Sequence, residues 1–188
     1  MSDEALAAHF AAVAEASPIP VLIYQVPLRL STLEFSTGLI GRLSEHPNIV
    51  GIKDSRGQLD LALELVGATS SDFQVMVGSG AILAPAMQGG CTGGIVAVGL
   101  MAPAEAAAIA SACLEGREDH AAELQARIAP VHQQIVGGMG VPGVKAALDM
   151  LGYSGGAPRP PLYSPSDDRL EMIRGILDEA DLLSLASV

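Results

Sequence analysis

The chain has 188 residues, of which 49% are hydrophobic and 16% charged, and its mean hydropathy is +0.40. This composition excludes an intrinsically disordered chain, which would be polar and rich in charge. Ten Lys and Arg residues against 21 Asp and Glu residues give a formal net charge of −11, so we expect no nucleic-acid partner and no attraction to an anionic membrane.

The first part of the chain alternates between strand-like and helical segments. An Ala-rich helix is predicted over residues 3–16, and short apolar runs after it are typical of strands buried on both faces of a parallel sheet. The predicted strands are Val21–Tyr24, Ile49–Lys53, Phe73–Val77 and Gly94–Val98; the predicted helices are Leu33–Ser44, Leu59–Val66, Ala81–Met87 and Pro103–Leu114. Four consecutive βα units predict an α/β fold with a parallel sheet and right-handed crossovers. We assign them to a first domain, residues 1–117.

The rest of the chain, residues 118–188, is predicted to be a helical C-terminal segment. Helical patterns run from Glu118 to about Val136, through Val144–Leu151 and through Ser166–Leu183. The stretch 152–161 is rich in Gly and Pro and cannot be helical. It is either an ordered loop that wraps a surface or a flexible linker.

The cysteines and histidines carry little functional signal. Cys91 and Cys113 form neither a C-x-x-C pair nor a disulfide framework, and the acidic start of the chain does not resemble a secretory signal. We therefore expect a cytoplasmic protein without a transmembrane segment. The four histidines are scattered, so no metal is expected.

The chain has two lysines, and their positions differ in kind. Lys53 ends a predicted strand, and in parallel α/β folds the strand carboxyl ends carry the active site. Burial there favours a neutral amine, the form that attacks a carbonyl to make a Schiff base. The alternative is a lysine that extends to solvent or pairs with Asp54. Lys145 lies in a helix four residues before Asp149 and is expected to form an ordinary ion pair with it.

Tyr24 closes the strand that precedes the Lys53 strand by one βα unit. Its phenol is expected at the same edge of the sheet, where it either passes protons during imine formation or merely packs its ring at the rim.

Glycines follow the third predicted strand and bracket the fourth. Gly78–Leu83 does not fit a dinucleotide fingerprint. These glycines either let a ligand's carboxylate or phosphate reach backbone N–H groups or are turn residues.

Several segments together resemble the dihydrodipicolinate synthase/N-acetylneuraminate lyase family. Tyr24–Pro27 is similar to its Y-x-V-P segment, and His46–Ser55 to its H-P-N-I-V-G-x-K-[DE]-[SA] segment. The segments Asp72–Gly80 and Gly89–Val98 follow at the expected spacing. The tail resembles the 4-hydroxy-2-oxoglutarate aldolase branch most, through Gly140–Lys145, Gly152-Tyr153 and Gly155–Leu162. The resemblance covers essentially the whole chain.

The resemblance implies a class I aldolase or lyase that binds pyruvate, or a 2-oxo acid yielding it, with no cofactor beyond the imine on its lysine. Lys53 aligns with the imine-forming lysine and Tyr24 with the proton-relaying tyrosine. Ser55, Gly78 and Ile95 align with positions near the substrate. Arg29 aligns with an arginine that binds a distal carboxylate, although the Leu30-Ser31 after it departs from the usual Thr-Gly.

The resemblance also implies a (β/α)8 barrel of about 250 residues or more, of which this chain corresponds to the C-terminal half. It starts in what aligns with the fourth barrel helix, so the G-T-T-G-E-type loop and the second tyrosine of the family lie outside it. Because four strands would leave open edges, we expect a homo-oligomer or a complementary half-barrel chain as partner.

Three hypotheses follow. The first is an aldolase acting on a small 2-oxo acid, in a shortened or split form that is either active or inactive without the N-terminal half. The second is a non-catalytic structural subunit or remnant of such an enzyme. The third is a phosphate-binding half-barrel that uses the glycines.

Overall fold

The computed structural model describes residues 1–183, in which four strands and eight α-helices are present. The strands are β1 (Val21–Gln25), β2 (Ile49–Asp54), β3 (Gln74–Val77) and β4 (Gly93–Gly94); the helices are α1 (Asp3–Ala16), α2 (Thr37–Leu43), α3 (Leu59–Ala68), α4 (Leu83–Gln88), α5 (Pro103–Leu114), α6 (Glu118–Pro130), α7 (Gly138–Met150) and α8 (Asp167–Glu179). Two short 3₁₀ segments, Gly80–Ile82 and Ala97–Leu100, and a π-helical segment, Val131–Gly137, complete the order.

The four strands form one parallel sheet in the order β1-β2-β3-β4. This confirms the predicted α/β fold with four successive parallel strands. In the register of the sheet, Tyr24 of β1 lies beside Lys53 of β2, and Lys53 lies beside Met76 of β3. All strands point the same way, so their carboxyl ends meet at one edge.

The two faces of the sheet differ in exposure. One face is buried, and four of its apolar side chains are at most 1% exposed: Ile23, Ile52, Val75 and Val77. Side chains alternate between faces along a strand, so Leu22, Tyr24 and Lys53 share the opposite face. Leu22 is 36% exposed and Tyr24 is 45% exposed. The expectation that β1 is buried on both faces is therefore wrong within the described chain, and we call the face of Leu22, Tyr24 and Lys53 the open face.

Several predicted elements differ from the structure in their bounds, and one helix and one strand show why. The helix predicted from Leu33 begins only at Thr37, because the Ser36 hydroxyl caps it by accepting the Leu39 N–H at 3.1 Å. The strand predicted over Gly94–Val98 is wrong beyond Gly94, because β4 is only Gly93–Gly94. The Ile95 N–H still donates to the Val77 carbonyl at 2.9 Å, but from Ala97 the backbone turns into a 3₁₀ segment.

The helices after Val96 have a core of their own. Its side chains are completely buried and come from α5, α6, the π-helical segment and α8: Ile109, Ile128, Ile135, Ile173 and Leu177. Arg127 of α6 pairs with buried Glu105 of α5 at 3.2 Å and donates from Nε to the Ala180 carbonyl at 2.7 Å. Helical geometry is broken at Gly140, whose φ of 63° lies in the left-handed region that glycine adopts readily.

The stretch 152–161 is an ordered loop fastened to α7. The Lys145 ammonium donates to the Gly155 carbonyl at 2.5 Å, and one Asp149 carboxylate oxygen accepts the N–H groups of Gly155 and Gly156 at 2.7 and 3.3 Å. The predicted Lys145–Asp149 ion pair is therefore wrong, because both side chains bind the loop backbone instead. Gly155 is required there, since a Cβ would lie 2.0 Å from the Lys145 carbonyl oxygen.

The backbone contacts divide the chain into two compact units, Met1–Ile95 and the part from Val96 onward. This division differs from the predicted domains, residues 1–117 and 118–188, which describe a barrel part and a tail and stay a prediction. No helix among residues 1–183 is long and apolar enough to cross a membrane.

Candidate active site

The carboxyl edge of the sheet brings five of the six predicted site residues into neighbouring positions. Tyr24 and Lys53 are register partners at the ends of β1 and β2. Ser55 follows the end of β2, Gly78 follows that of β3, and Ile95 follows that of β4. Each of the three donates its backbone N–H to a carbonyl of the neighbouring strand that comes before in the chain. The parallel ladder thus places one predicted residue after another along the same edge.

Lys53 and Tyr24 are in direct contact on the open face. The Lys53 Nζ lies 4.5 Å from the centroid of the Tyr24 ring, within the range of a cation–π interaction. Lys53 is half-buried and Tyr24 is 45% exposed. An amine and a phenol held side by side can carry out imine chemistry, because one supplies the nucleophile and the other can move protons.

Lys53 does not pair with Asp54. Asp54 follows Lys53 along the strand, so its side chain points to the buried face, where it is 2% exposed. Its carboxylate is bound by Arg56, with Nη2 and Oδ2 2.8 Å apart. This leaves the amine directed toward Tyr24 rather than toward a carboxylate.

Ser55 and Gly78 pack against each other at the edge. A Cβ on Gly78 would lie 1.8 Å from the Ser55 hydroxyl oxygen and 2.8 Å from its Cβ. Glycine is therefore required at position 78 for space. The Gly78 N–H is bound by the Asp54 carbonyl at 2.7 Å and the Ile95 N–H by the Val77 carbonyl at 2.9 Å, so neither N–H is free to hold a ligand's phosphate or carboxylate. The hypothesis of a phosphate cradle loses its support at Gly78.

Arg29 is the one predicted site residue that does not lie at a strand end. It is exposed on the turn after β1, in which the N–H groups of Leu30 and Ser31 both donate to the Pro27 carbonyl.

A buried polar cluster, not predicted from the sequence, lies beneath the edge. Gln25 is 1% exposed and lies beside Asp54 in the register; Arg56 clamps Asp54 and reaches Glu34 at 3.5 Å. Burial by itself acts to lower the pKa of the Arg56 guanidinium, but the hydrogen bond and charge of Asp54, with those of Glu34, outweigh it and raise the pKa. Opposite charges two residues apart just after a strand were the available sequence signal.

A buried thiol lies in the field of the same carboxylate. Burial raises the pKa of Cys91 to about 11, and the negative charge of Asp54 adds to the effect. Among residues 1–183 no group of three or more His, Cys, Asp and Glu side chains is placed to hold a metal ion.

A parallel sheet with an amine and a phenol in contact at its carboxyl edge defines an α/β protein with a candidate site for carbonyl chemistry. The model of the dihydrodipicolinate synthetase family matches residues 1–180. The chain belongs to this family.

Relatives of known name and structure agree with this assignment. The 4-hydroxy-tetrahydrodipicolinate synthase of Zymomonas mobilis subsp. mobilis is 36% identical, covering 97% of this chain and 62% of the relative. The 4-hydroxy-tetrahydrodipicolinate synthase of Exiguobacterium sp. is 34% identical over 86% of this chain and 55% of the relative.

Solved structures of the same family superpose closely. The chloride-inhibited dihydrodipicolinate synthase of Acinetobacter baumannii, complexed with pyruvate, has a TM-score of 0.90 at 29% identity, covering 97% of this chain and 62% of that one. A monomeric dihydrodipicolinate synthase variant has a TM-score of 0.89 at 26% identity, with the same coverage. The chain thus spans less than two thirds of the length of these relatives.

Proposed function

We propose that the chain forms a Schiff base between Lys53 and pyruvate, as a class I aldolase or lyase of its family. The observation that carries the proposal is the contact between the Lys53 amine and the Tyr24 ring at the carboxyl edge of the sheet. The pyruvate complex of a structural neighbour supports the choice of ligand.

The chemistry is a condensation followed by carbon–carbon bond making or breaking. The Lys53 nitrogen attacks the ketone carbon of pyruvate, a C–N bond forms, and the former ketone oxygen leaves as water. The Tyr24 hydroxyl supplies and takes up protons in these steps. Loss of a methyl proton from the imine gives an enamine, whose carbon adds to an aldehyde; cleavage runs the same steps backward.

The remaining site residues have proposed roles around that imine. Ser55, Gly78 and Ile95 line the pyruvate at the strand ends. Arg29, an exposed cation, binds the distal carboxylate of a larger 2-oxo acid. No cofactor is required, because the lysine itself provides the electron sink once the imine has formed.

Borohydride reduction in the presence of pyruvate tests the assignment. We expect the mass of one reduced pyruvyl group on the Lys53 peptide, the same label in K145R, and none in K53R. Label on Lys145 alone would overturn the role of Lys53. A folded chain that takes up no label would favour the alternative, a non-catalytic subunit or remnant, which the incomplete coverage of the relatives keeps in view.

The finer choice of reaction is between two members of the family. The tail residues from Gly140 to Leu162 favour cleavage of 4-hydroxy-2-oxoglutarate to pyruvate and glyoxylate, whereas the named relatives favour a synthase-type condensation. We propose the cleavage. Release of pyruvate from 4-hydroxy-2-oxoglutarate, absent in K53R, would support it. A chain that consumes pyruvate in a condensation with an aldehyde, but releases no pyruvate from 4-hydroxy-2-oxoglutarate, would overturn it.

The four strands are proposed to correspond to the C-terminal half of a (β/α)8 barrel. The supporting observation is the TM-score of 0.90 over 62% of a neighbour's chain. A second copy, or a complementary half-barrel chain, is the proposed partner.

A further inference from the structure

Arg56 and Asp54 form a closed ion pair just beneath the candidate active site. The Arg56 side chain is 5% exposed and that of Asp54 2%. Arg56 Nε lies 3.0 and 3.1 Å from the two carboxylate oxygens, Nη2 lies 2.8 Å from Oδ2, and the Arg56 backbone N–H donates to Oδ1 at 2.9 Å. Such a bidentate, charge-assisted arrangement fixes orientation as well as distance.

The cluster joins the segment after β1 to the end of β2. Arg56 Nη1 reaches the Glu34 carboxylate at 3.5 Å. The neighbouring Gln25 side chain accepts the Phe35 N–H at 2.8 Å and donates to the Leu33 carbonyl at 3.0 Å. Residues 33–35 are thus held from both strands.

Three of the five guanidinium N–H groups bind carboxylates of the protein itself. Its Nε and Nη2 are committed to Asp54 and its Nη1 to Glu34. Replacing a buried ion pair by apolar residues often leaves stability unchanged, so burial of the Arg56–Asp54 pair does not by itself show that it stabilises the fold.

We propose that Arg56 is a positioning residue that holds Lys53 against Tyr24 by clamping the side chain of Asp54. The clamp works because Asp54 follows Lys53 directly and the two side chains point to opposite faces: when the Asp54 side chain is fixed on the buried face, the Lys53 side chain is fixed on the open face. The consequence for imine formation rests on the proposed function, but the geometric effect does not.

The geometry is tested by NMR on the whole chain, with its lysines labelled by reductive ¹³C-methylation. The Tyr24 ring is expected to shift the Lys53 methyl signal away from that of Lys145, the internal control, and Y24L removes the shift. In R56M we expect the Lys53 signal to move to the Y24L position and the Lys145 signal to stay. R56K keeps the charge but not the planar guanidinium, so its Lys53 signal should fall between the wild-type and the Y24L positions.

Folding is checked by circular dichroism, and R56K decides the matter if R56M does not fold. A Lys53 signal at the wild-type position in a folded variant overturns the proposal. Borohydride trapping with pyruvate is expected to slow by on the order of 10- to 100-fold in R56M, with Lys53 still the labelled residue, and to recover in part in R56K. A wild-type chain that never traps pyruvate overturns the proposed function alone, because the NMR signals still decide the positioning role.

Discussion

At the scale of single residues, the active-site edge depends on one glycine. Gly78→Ala would place a Cβ 1.8 Å from the Ser55 hydroxyl and 3.0 Å from the Ser55 Cα, so β2 must move. We expect a loss of about 1–3 kcal/mol in the free energy of unfolding, measured in urea. Ser55→Gly in the same chain should restore most of it, and Gly67→Ala, at an open helical position, should be neutral or slightly stabilising. Equal effects of the two alanines would contradict the packing argument.

Cys91 is expected to make the free energy of unfolding decrease as the pH rises through the alkaline range. Burial, with the charge of Asp54, raises the pKa of its thiol to about 11 in the folded chain from an ordinary value of 9. As the pH rises, the thiol loses its proton first in the unfolded chain. The stabilisation that comes from the buried neutral thiol is therefore complete below about pH 9 and is lost toward pH 11. The denaturation midpoint of the wild type should therefore fall more steeply over this range than that of Cys91→Ala. Parallel curves would show that the thiol is not buried as described.

At the scale of elements, side chains of α7 hold the loop 152–161 in place through hydrogen bonds to its backbone. Asp149→Ala removes the acceptor of the Gly155 and Gly156 N–H groups. Each exposed hydrogen bond of this kind is worth about 0.5–1.5 kcal/mol, so the loop should open locally without global unfolding. Limited proteolysis is expected to cut the variant faster within 152–161 than the wild type, while Asp178→Ala on α8 behaves like the wild type. Unchanged cleavage would mean that other contacts hold the loop.

At the scale of the whole molecule, the open face predicts association. Leu22 and Tyr24 are exposed on it, and β1 and β4 are the two edge strands of the sheet described. Exposed apolar side chains and unpaired strand edges favour pairing with another chain. We expect analytical ultracentrifugation to find an oligomer at micromolar concentration, weakened by Leu22→Glu but not by Leu114→Glu on α5. A well-folded, cooperative monomer would contradict the half-barrel proposal.

The parallel sheet and the shared edge of Lys53 and Tyr24 were predictable because they depend on local signals. Short apolar runs at regular spacing predicted four parallel strands, and strand ends predicted that Lys53 and Tyr24 would share an edge. The contact of their side chains on the open face agrees with that expectation. Their catalytic roles stay a prediction.

What the sequence could not determine is which polar groups bind one another in the folded chain. The late start of α2 results from side-chain hydrogen bonds of Ser36 and Gln25, and the side chains of Lys145 and Asp149 bind loop backbone rather than each other. The spacing of Asp54 and Arg56 suggests a pair, but only folding buries that pair and brings Glu34 to it. Periodicity records which face of an element is apolar, but only the tertiary structure decides which polar groups are buried together, because a buried charge must find its partner wherever the fold places one.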